Sequence, residues 1–401
     1  VIREEFVEDE PITDFSYTSN EVYTEFDMRY SKIKDINATY TDLDLGAKLA
    51  EINITLTDDQ ITKAHAYIFN PKNGITMRTS FGKRLADTPD NVERETLSQL
   101  IKDEQDKGLE VLAAINGSFF KINDADLGPG DRKGSPKDLV LKNGWIISSD
   151  AGRRAAGFYS DGTLIIGRPN STIQVKVNDA RKYEISQINK SIQMSGITLY
   201  TSDFSDTTGT IFPCTEVVAR ITGGRLKYGE TLNAVVEKVN KNTKSTKLND
   251  GYIVLSAAEG GSRDIEKIKK GDKLSINIET TDLRWINVMH GVGGDDKLLH
   301  NGYVVNGDRT HDARTAIGTK EDGTVVLLAV DGVQSGYSAG LSKPDTGVVL
   351  QWLGCVEGLN LDGGASSTLA VNVNGSLKVV NKPLEGTERQ ISNGLVFYKK
   401  K

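Results

Sequence analysis

The sequence predicts an α+β fold: a large mixed or antiparallel β-sheet core with two main helices packed on it. Three observations predict it. Runs alternating apolar and polar residues recur along most of the chain, which is the period of a strand. Only two stretches carry strong helical periodicity. The 401 residues include 40 Gly against 9 Pro and 2 Cys, a turn-rich composition that does not lean on disulfides.

Residues 1–44 read as an N-terminal extension and 45–401 as the main domain. Glu4, Glu5, Glu8, Asp9 and Glu10 make the start acidic, and the first dozen residues suit a tether. Residues 15–44 show no clean period. Lys48–Leu56 alternates and reads as a strand, as does His65–Phe69, closed by a turn at Asn70–Gly74. The first helix spans Asn91–Lys107, with Val92, Leu97, Leu100 and Ile101 near one face and Gly108 as the stop. Glu110–Ile115 is a buried strand that ends on Asn116-Gly117. Hairpins turn at Asn143-Gly144 and Asp161-Gly162.

Residues 171–289 are mostly short strands, among them Glu216–Ile221, Tyr252–Ala257 and Lys273–Ile278. Gly291–Gly294 reads as a glycine-rich loop. It lacks the Gly-Lys-Ser/Thr ending of a phosphate loop. Arg314 enters a strand, and Thr324–Val330 is apolar on both faces, so it is central. The second helix starts at Ser342, with Pro344 and Asp345 in its first turn; Val348, Val349, Trp352, Leu353 and Val356 make its buried face. A hairpin at Asn374-Gly375 and a last strand, Gly394–Tyr398, close the chain.

Net charge is −6 with no basic stripe, which argues against nucleic acid. No apolar run approaches the roughly 18 residues of a transmembrane segment. Cys214 and Cys355 read as buried free thiols, and no zinc-ligand spacing exists. The chemistry requires no cofactor; of cations, the oxygen-rich residue set would admit Ca²⁺ or Mg²⁺. A Lys- and Asn-rich, Cys-poor chain suits a bacterial protein. Its expected location is secreted or cell-envelope associated, with a leader removed.

Leu359–Leu369 concentrates the chemistry. A short strand ends on Asp362, Gly363 and Gly364 allow close approach of a ligand to the backbone, and Ser366, Ser367 and Thr368 supply hydroxyls. Asn116-Gly117 and Asp331-Gly332 repeat the pattern of an apolar run ending on a polar residue and Gly, and Glu216 starts another strand. Such ends converge on a cleft when they open onto one side of a sheet. Arg314 and Arg389 are the natural cations for an anionic group. A turn aspartate bonding its own backbone is the competing reading of Asp331 and Asp362.

Six segments in order resemble the phosphodiester glycosidase family: Ala114–Phe120, Leu199–Thr201 with Thr215–Val218, Gly251–Ser256, Arg314–Gly318, Val330–Gln334 and Asn360–Thr368. Ser118, Cys214, Asp312-Ala313 and Ala365 depart from the family's usual residues. The resemblance implies cleavage of a sugar-1-phosphodiester to free sugar and a phosphomonoester, through an oxocarbenium-like transition state stabilised by a carboxylate. On that reading Asp362 or Asp331 is the carboxylate and Glu216 the second acid/base. Arg314 with Thr315 holds the phosphate, helped by Ser366, Ser367 and backbone N–H groups at Gly363 and Gly364. Asn116, Asn360, Gln334 and Asn393 bind sugar hydroxyls, and Arg389 is a further phosphate candidate. The expected partner is a carbohydrate or glycan phosphodiester, such as an exopolysaccharide. A non-catalytic carbohydrate-binding protein and a cell-wall polymer phosphodiesterase or transferase are the alternatives. A serine hydrolase is disfavoured, because no histidine sits in a recognisable triad pattern.

Overall fold

The computed structural model describes residues 23–88, 91–122, 132–210, 212–258 and 265–400. The tether expected at the N-terminus lies outside them. Among the described residues the chain is dominated by strands, with two α-helices, α1 (Leu97–Asp106) and α2 (Lys343–Trp352). The strands form four principal sheets, which together make up the expected large β core.

Sheet A has eight strands in the order Ile33–Asp42, Lys48–Leu56, Ile61–Phe69, Val325–Val330, Arg314–Thr319, Glu357–Asn360, Lys297–His300 and Tyr303–Val304, all neighbours antiparallel. Its central strand, Val325–Val330, is buried on both faces, as its unbroken apolar run requires. Sheet B, five strands, holds Leu369–Val373, Val111–Asn116, Gly394–Lys399 and Ile75–Ser80, with Ser376–Val379 at its edge. Sheet C, five strands, is built around His290–Gly293, and sheet D, eight strands, around Cys214–Gly223, Thr231–Thr243 and Tyr252–Ala258. Sheet D contains a single parallel pair, Gln187–Ile188 with Thr198–Tyr200.

Alternation explains the layers. In sheet B, Ala113, Ile115, Leu395 and Phe397 face a core shared with Tyr67, Phe69, Leu327 and Leu359 of sheet A. Ala114, Val396 and Ala370 point the other way, onto Leu97, Leu100 and Ile101 of α1. The far face of sheet A meets Val348, Val349 and Leu350 of α2. The order is therefore α2, sheet A, sheet B, α1. Strand ends of the two middle sheets can meet along one edge of this stack.

Several expectations are corrected. Helix α1 starts at Leu97, not Asn91, because Thr96 and Gln99 form a capping box and Glu95 pairs as a bridge with Ile391. Val92, outside the helix, is 54% exposed, and Trp352, assigned to the buried face of α2, is 43% exposed. Val356 lies beyond α2. The unpatterned stretch before residue 45 contains the edge strand Ile33–Asp42, whose burial shows no strict alternation. Gly291 and Gly293 are not in a loop: they belong to a buried strand, where a Cβ at Gly291 would lie 2.8 Å from the Ala156 carbonyl oxygen. No disulfide joins Cys214 and Cys355, and both thiols are buried.

Candidate active site

The chain leaves sheet B at Asn116 and sheet A just before Asp362, on the same edge of the stack. Asn116 Nδ2 donates to the Asp362 carbonyl at 2.6 Å, and Asp362 N donates to Gly117 O at 3.1 Å. Asn116 Oδ1 accepts from Thr368 N at 3.0 Å and lies 2.9 Å from Thr315 Oγ1, which is 3.0 Å from Ser367 Oγ. Gly117 N donates to Asn393 O at 2.9 Å, and Ser118 N to Asn393 Oδ1 at 3.0 Å. A Cβ at Gly117 would lie 2.2 Å from Asn393 Oδ1, so only glycine fits. Asn116, Thr315, Asp362, Ser367 and Asn393 thus form one buried polar knot between the two sheets. A Cβ at Gly363 would lie 2.8 Å from Ala313 O, and Gly364 has φ +59°, so both glycines are required by the turn that follows Asp362.

Asp362 is the ionisable group of this knot. Burial pushes its carboxyl up to about 7. The Ser366 hydroxyl is the largest counterweight, followed by the charges of Arg389 and Lys137, while Asp138 acts in the same direction as burial. Ser392 Oγ and Asn393 Nδ2 are buried and have no hydrogen-bond partner among the described residues, while the Ser366 hydroxyl faces the Asp362 carboxyl. Buried polar groups are nearly always satisfied. Two unpartnered atoms on the loop at Ser392 and Asn393, close to one carboxylate, leave room for a polar ligand.

The other expected residues separate. Asn116 holds Asp362 and has both its oxygen and its amide occupied, so it positions rather than binds. Asn360 Nδ2 donates to Asp295 Oδ1 at 2.8 Å and to Leu361 O at 3.0 Å, leaving Oδ1 unpartnered. Asp331 sits at a neighbouring strand end. Tyr337 Oη donates to its Oδ2 and Lys382 N to its Oδ1, each at 2.8 Å, and burial raises its carboxyl. Gln334 Nε2 donates to Lys382 O at 3.2 Å, beside Asp331 rather than Asp362. Asn381 borders both groups, since its Nδ2 donates to Ser367 O at 2.9 Å and its side chain reaches Asp331.

Arg314 does not face the knot. Its Nε donates to Leu341 O at 3.0 Å, its Nη2 donates to Thr310 O, and Asp308 lies 3.6 Å away. Its guanidinium ties down the approach to α2. Arg389, half-buried and paired with Glu385, is the arginine whose charge reaches Asp362. Glu216 belongs to sheet D, where it is fully buried and accepts from Ser256 Oγ at 3.0 Å; burial raises its carboxyl against the hydroxyls of Thr246, Thr208 and Ser256. None of these partners belongs to the knot around Asp362.

Asp138, which sequence reasoning passed over, acts on the Asp362 carboxyl, and Arg153 and Lys190 lie beside Asp138. Asp138 is buried, with Oδ2 accepting from Arg153 Nη1 at 3.1 Å and Oδ1 unpartnered. Lys190 Nζ donates to Asp138 O at 3.2 Å and to Pro136 O at 3.4 Å. Burial brings the Lys190 ammonium down to about 8 despite the pull of Asp138 and Asp150. Asp138 precedes strand Val140–Lys142 and has no glycine after it, so it lacks the pattern that exposes Asn116 and Asp362. Its signal is Gly293, where a Cβ would lie 2.2 Å from Asp138 Cβ. Among the described residues no group of three or more His, Cys, Asp or Glu side chains is arranged to hold a metal ion. No described helix is long and apolar enough to cross a membrane.

Residues 215–398 match the phosphodiester glycosidase family. A prophage-derived uncharacterized protein of Bacillus subtilis (strain 168) is 38% identical over 84 residues, which is 21% of this chain and 12% of that protein. The chain therefore spans a small part of that relative's length. Two solved structures share the fold. A hypothetical protein from Synechocystis superposes with TM-score 0.71 at 17% identity, over 90% of this chain and 64% of the other. A candidate exported protein of Burkholderia pseudomallei K96243 superposes with TM-score 0.70 at 15% identity, over 94% of this chain and all of the other.

Proposed function

We propose that this chain, which carries a phosphodiester glycosidase domain over residues 215–398, hydrolyses a sugar-1-phosphodiester to free sugar and a phosphomonoester. The observation that carries the proposal is the Asp362 carboxyl. It is buried, and burial places its proton affinity near neutrality against the Ser366 hydroxyl. A general base works best when its pKa lies near the working pH. Asp362 takes a proton from the attacking water. The phosphate leaving group needs little protonation, since its conjugate acid is strong. Arg389 and Lys137, whose charges already reach Asp362, hold the phosphate. Ser392 and Asn393 supply hydrogen bonds to sugar hydroxyls through their unpartnered atoms.

The substrate is a glycan-linked phosphodiester. Such polymers lie outside the cell or in its envelope, and the fold likeness to a candidate exported protein supports that location. The test is turnover of a panel of alkyl sugar-1-phosphodiesters in ¹⁸O-water. Label in the released sugar is expected, because the C1–O bond breaks. Label in the phosphate would replace this reading with a phosphodiesterase. Saturable binding without turnover would leave a carbohydrate-binding protein.

A further inference from the structure

We propose that Asp138 is the second carboxylate of this site, an anion fixed opposite Asp362 that stabilises the positive charge developing on the sugar ring. The proposal rests on the glycosidase reading for its chemistry and on geometry for its place. Asp138 lies outside the residues matched to the family.

Two adjacent residues tie the carboxylates together. Asp362 N donates to Gly117 O at 3.1 Å, and Ser118 Oγ, on the next residue, donates to Leu139 O at 3.0 Å, next to Asp138. Gly293 N donates to the same Leu139 carbonyl at 2.8 Å. Gly293 and Gly294 close the seam from the other side. A Cβ at Gly293 would strike Asp138 Cβ at 2.2 Å, and one at Gly294 would strike Asn360 O at 2.4 Å. The glycine pair therefore lets the Asp138 loop and the strand leading to Asp362 approach without side chains between them.

The two carboxylates have different surroundings, which is how one site assigns two roles. Burial raises the Asp138 carboxyl, with Asp295 acting the same way, and two cations oppose it: Arg153, whose Nη1 donates to Asp138 Oδ2 at 3.1 Å, and the buried Lys190. Asp362 faces Ser366, Arg389 and Lys137, with no charge-bearing partner in hydrogen-bond contact. Asp138 Oδ1 is buried and unpartnered, free for the substrate. In the step, the water oxygen forms a bond to C1 and the C1–O bond to phosphorus breaks. The electron pair leaves on the phosphate oxygen, and the water proton passes to Asp362. Asp138 exchanges no proton.

The experiment uses the full chain. On a sugar-1-phosphodiester that the wild type turns over, Asp138→Asn should lower kcat by about 100-fold or more with KM within a few-fold. Asp138→Glu should recover part of it. Independently of turnover, ¹³C-carboxyl NMR should show the Asp362 midpoint falling in Asp138→Asn, because a neighbouring like charge is removed. Wild-type kcat in Asp138→Asn, or an unmoved Asp362 midpoint, overturns the assignment. Should the variant not fold, the wild-type titration decides: mutually dependent curves for the two carboxyls support the shared site, and independent curves overturn it. If the wild type turns over no phosphodiester, the glycosidase reading fails, while the NMR coupling still decides whether the carboxylates share a site.

Discussion

Asn116 Nδ2 and the Asp362 carbonyl oxygen are 2.6 Å apart, and this contact joins the edge of sheet B to the edge of sheet A. The same side chain accepts from Thr368 N at 3.0 Å and meets Thr315 Oγ1 at 2.9 Å, all in a buried setting. The fold thus uses one amide to set the backbone that carries the reactive carboxyl. Replacing Asn116 with Ala leaves the Asp362 carbonyl and Thr368 N without side-chain partners. Each buried group left unsatisfied costs about 1–3 kcal/mol. Asn116→Ala is expected to lose about 2–4 kcal/mol of stability by urea denaturation. It should lower kcat more than it raises KM, since the carboxyl is displaced rather than the sugar lost.

Asp362→Asn keeps the shape of the side chain and removes its basicity. A general base contributes about 10²–10⁴-fold, so kcat should fall by that order with substrate still bound. Steady-state kinetics on the best phosphodiester of the panel, with near-ultraviolet circular dichroism as a folding control, checks it. Full activity in a folded variant would remove Asp362 from the chemistry.

Arg314 and Arg389 should part company. Arg314 donates to the Leu341 and Thr310 carbonyls, so Arg314→Ala should destabilise by about 2–4 kcal/mol while KM of the remaining folded protein stays near wild type. Arg389 carries its charge toward Asp362 from a half-buried position. Arg389→Ala should raise KM about tenfold, the order of one charge-assisted hydrogen bond, with little change in melting temperature. The reverse assignment would return the phosphate to Arg314.

Local pattern carried the sequence reading where the signal was local. Hairpins at Asn143-Gly144 and Asn374-Gly375, the cap at Ser342 and the polar ends at Asn116 and Asp362 all lie within a few residues of the features that define them. What the local pattern could not carry was non-local. Glu216 looks like the other strand ends, but its strand pairs with Thr231–Thr243 and Tyr252–Ala258 in sheet D. Arg314 looks like a free cation until the Leu341 and Thr310 carbonyls are brought to it by the loops before α2. Gly291–Gly294 looks like a loop because glycine is rare in strands; here the missing side chains are what allow the strand to pack. Asp138 became visible only through the backbone it presses against.

That pressure is testable at Gly293. Alanine there would place Cβ 2.2 Å from Asp138 Cβ and 2.9 Å from Leu139 N, just before strand Val140–Lys142 of sheet C. Overpacking of this kind costs about 1–3 kcal/mol and moves the neighbour. Gly293→Ala should lower both stability and kcat. Gly223→Ala, where nothing lies within 4 Å of the new Cβ, is the control and should change neither.

The stability of the fold should also report the Asp362 proton. Its carboxyl lies at about 7 when folded, against 3.8 for an ordinary aspartate. Between those values the folded chain holds a proton that the unfolded chain has released. Stability therefore falls as pH rises from about 4 through about 7, and the loss is complete above the folded value. Asp362→Asn never ionises, so it removes this slope. At pH 4 the variant and the wild type should be nearly equally stable. At pH 8 the variant should be the more stable by about 2–4 kcal/mol, the order set by a shift of this size. Urea denaturation of both chains at half-unit steps from pH 4 to pH 8 measures the difference directly. Because the other buried carboxyls titrate in both chains, they cancel in the comparison, apart from the coupling to Asp138. A variant and wild type that stay parallel across the range would mean that Asp362 ionises in the folded chain as it does in water, and the case for it as a base near neutral pH would go with it.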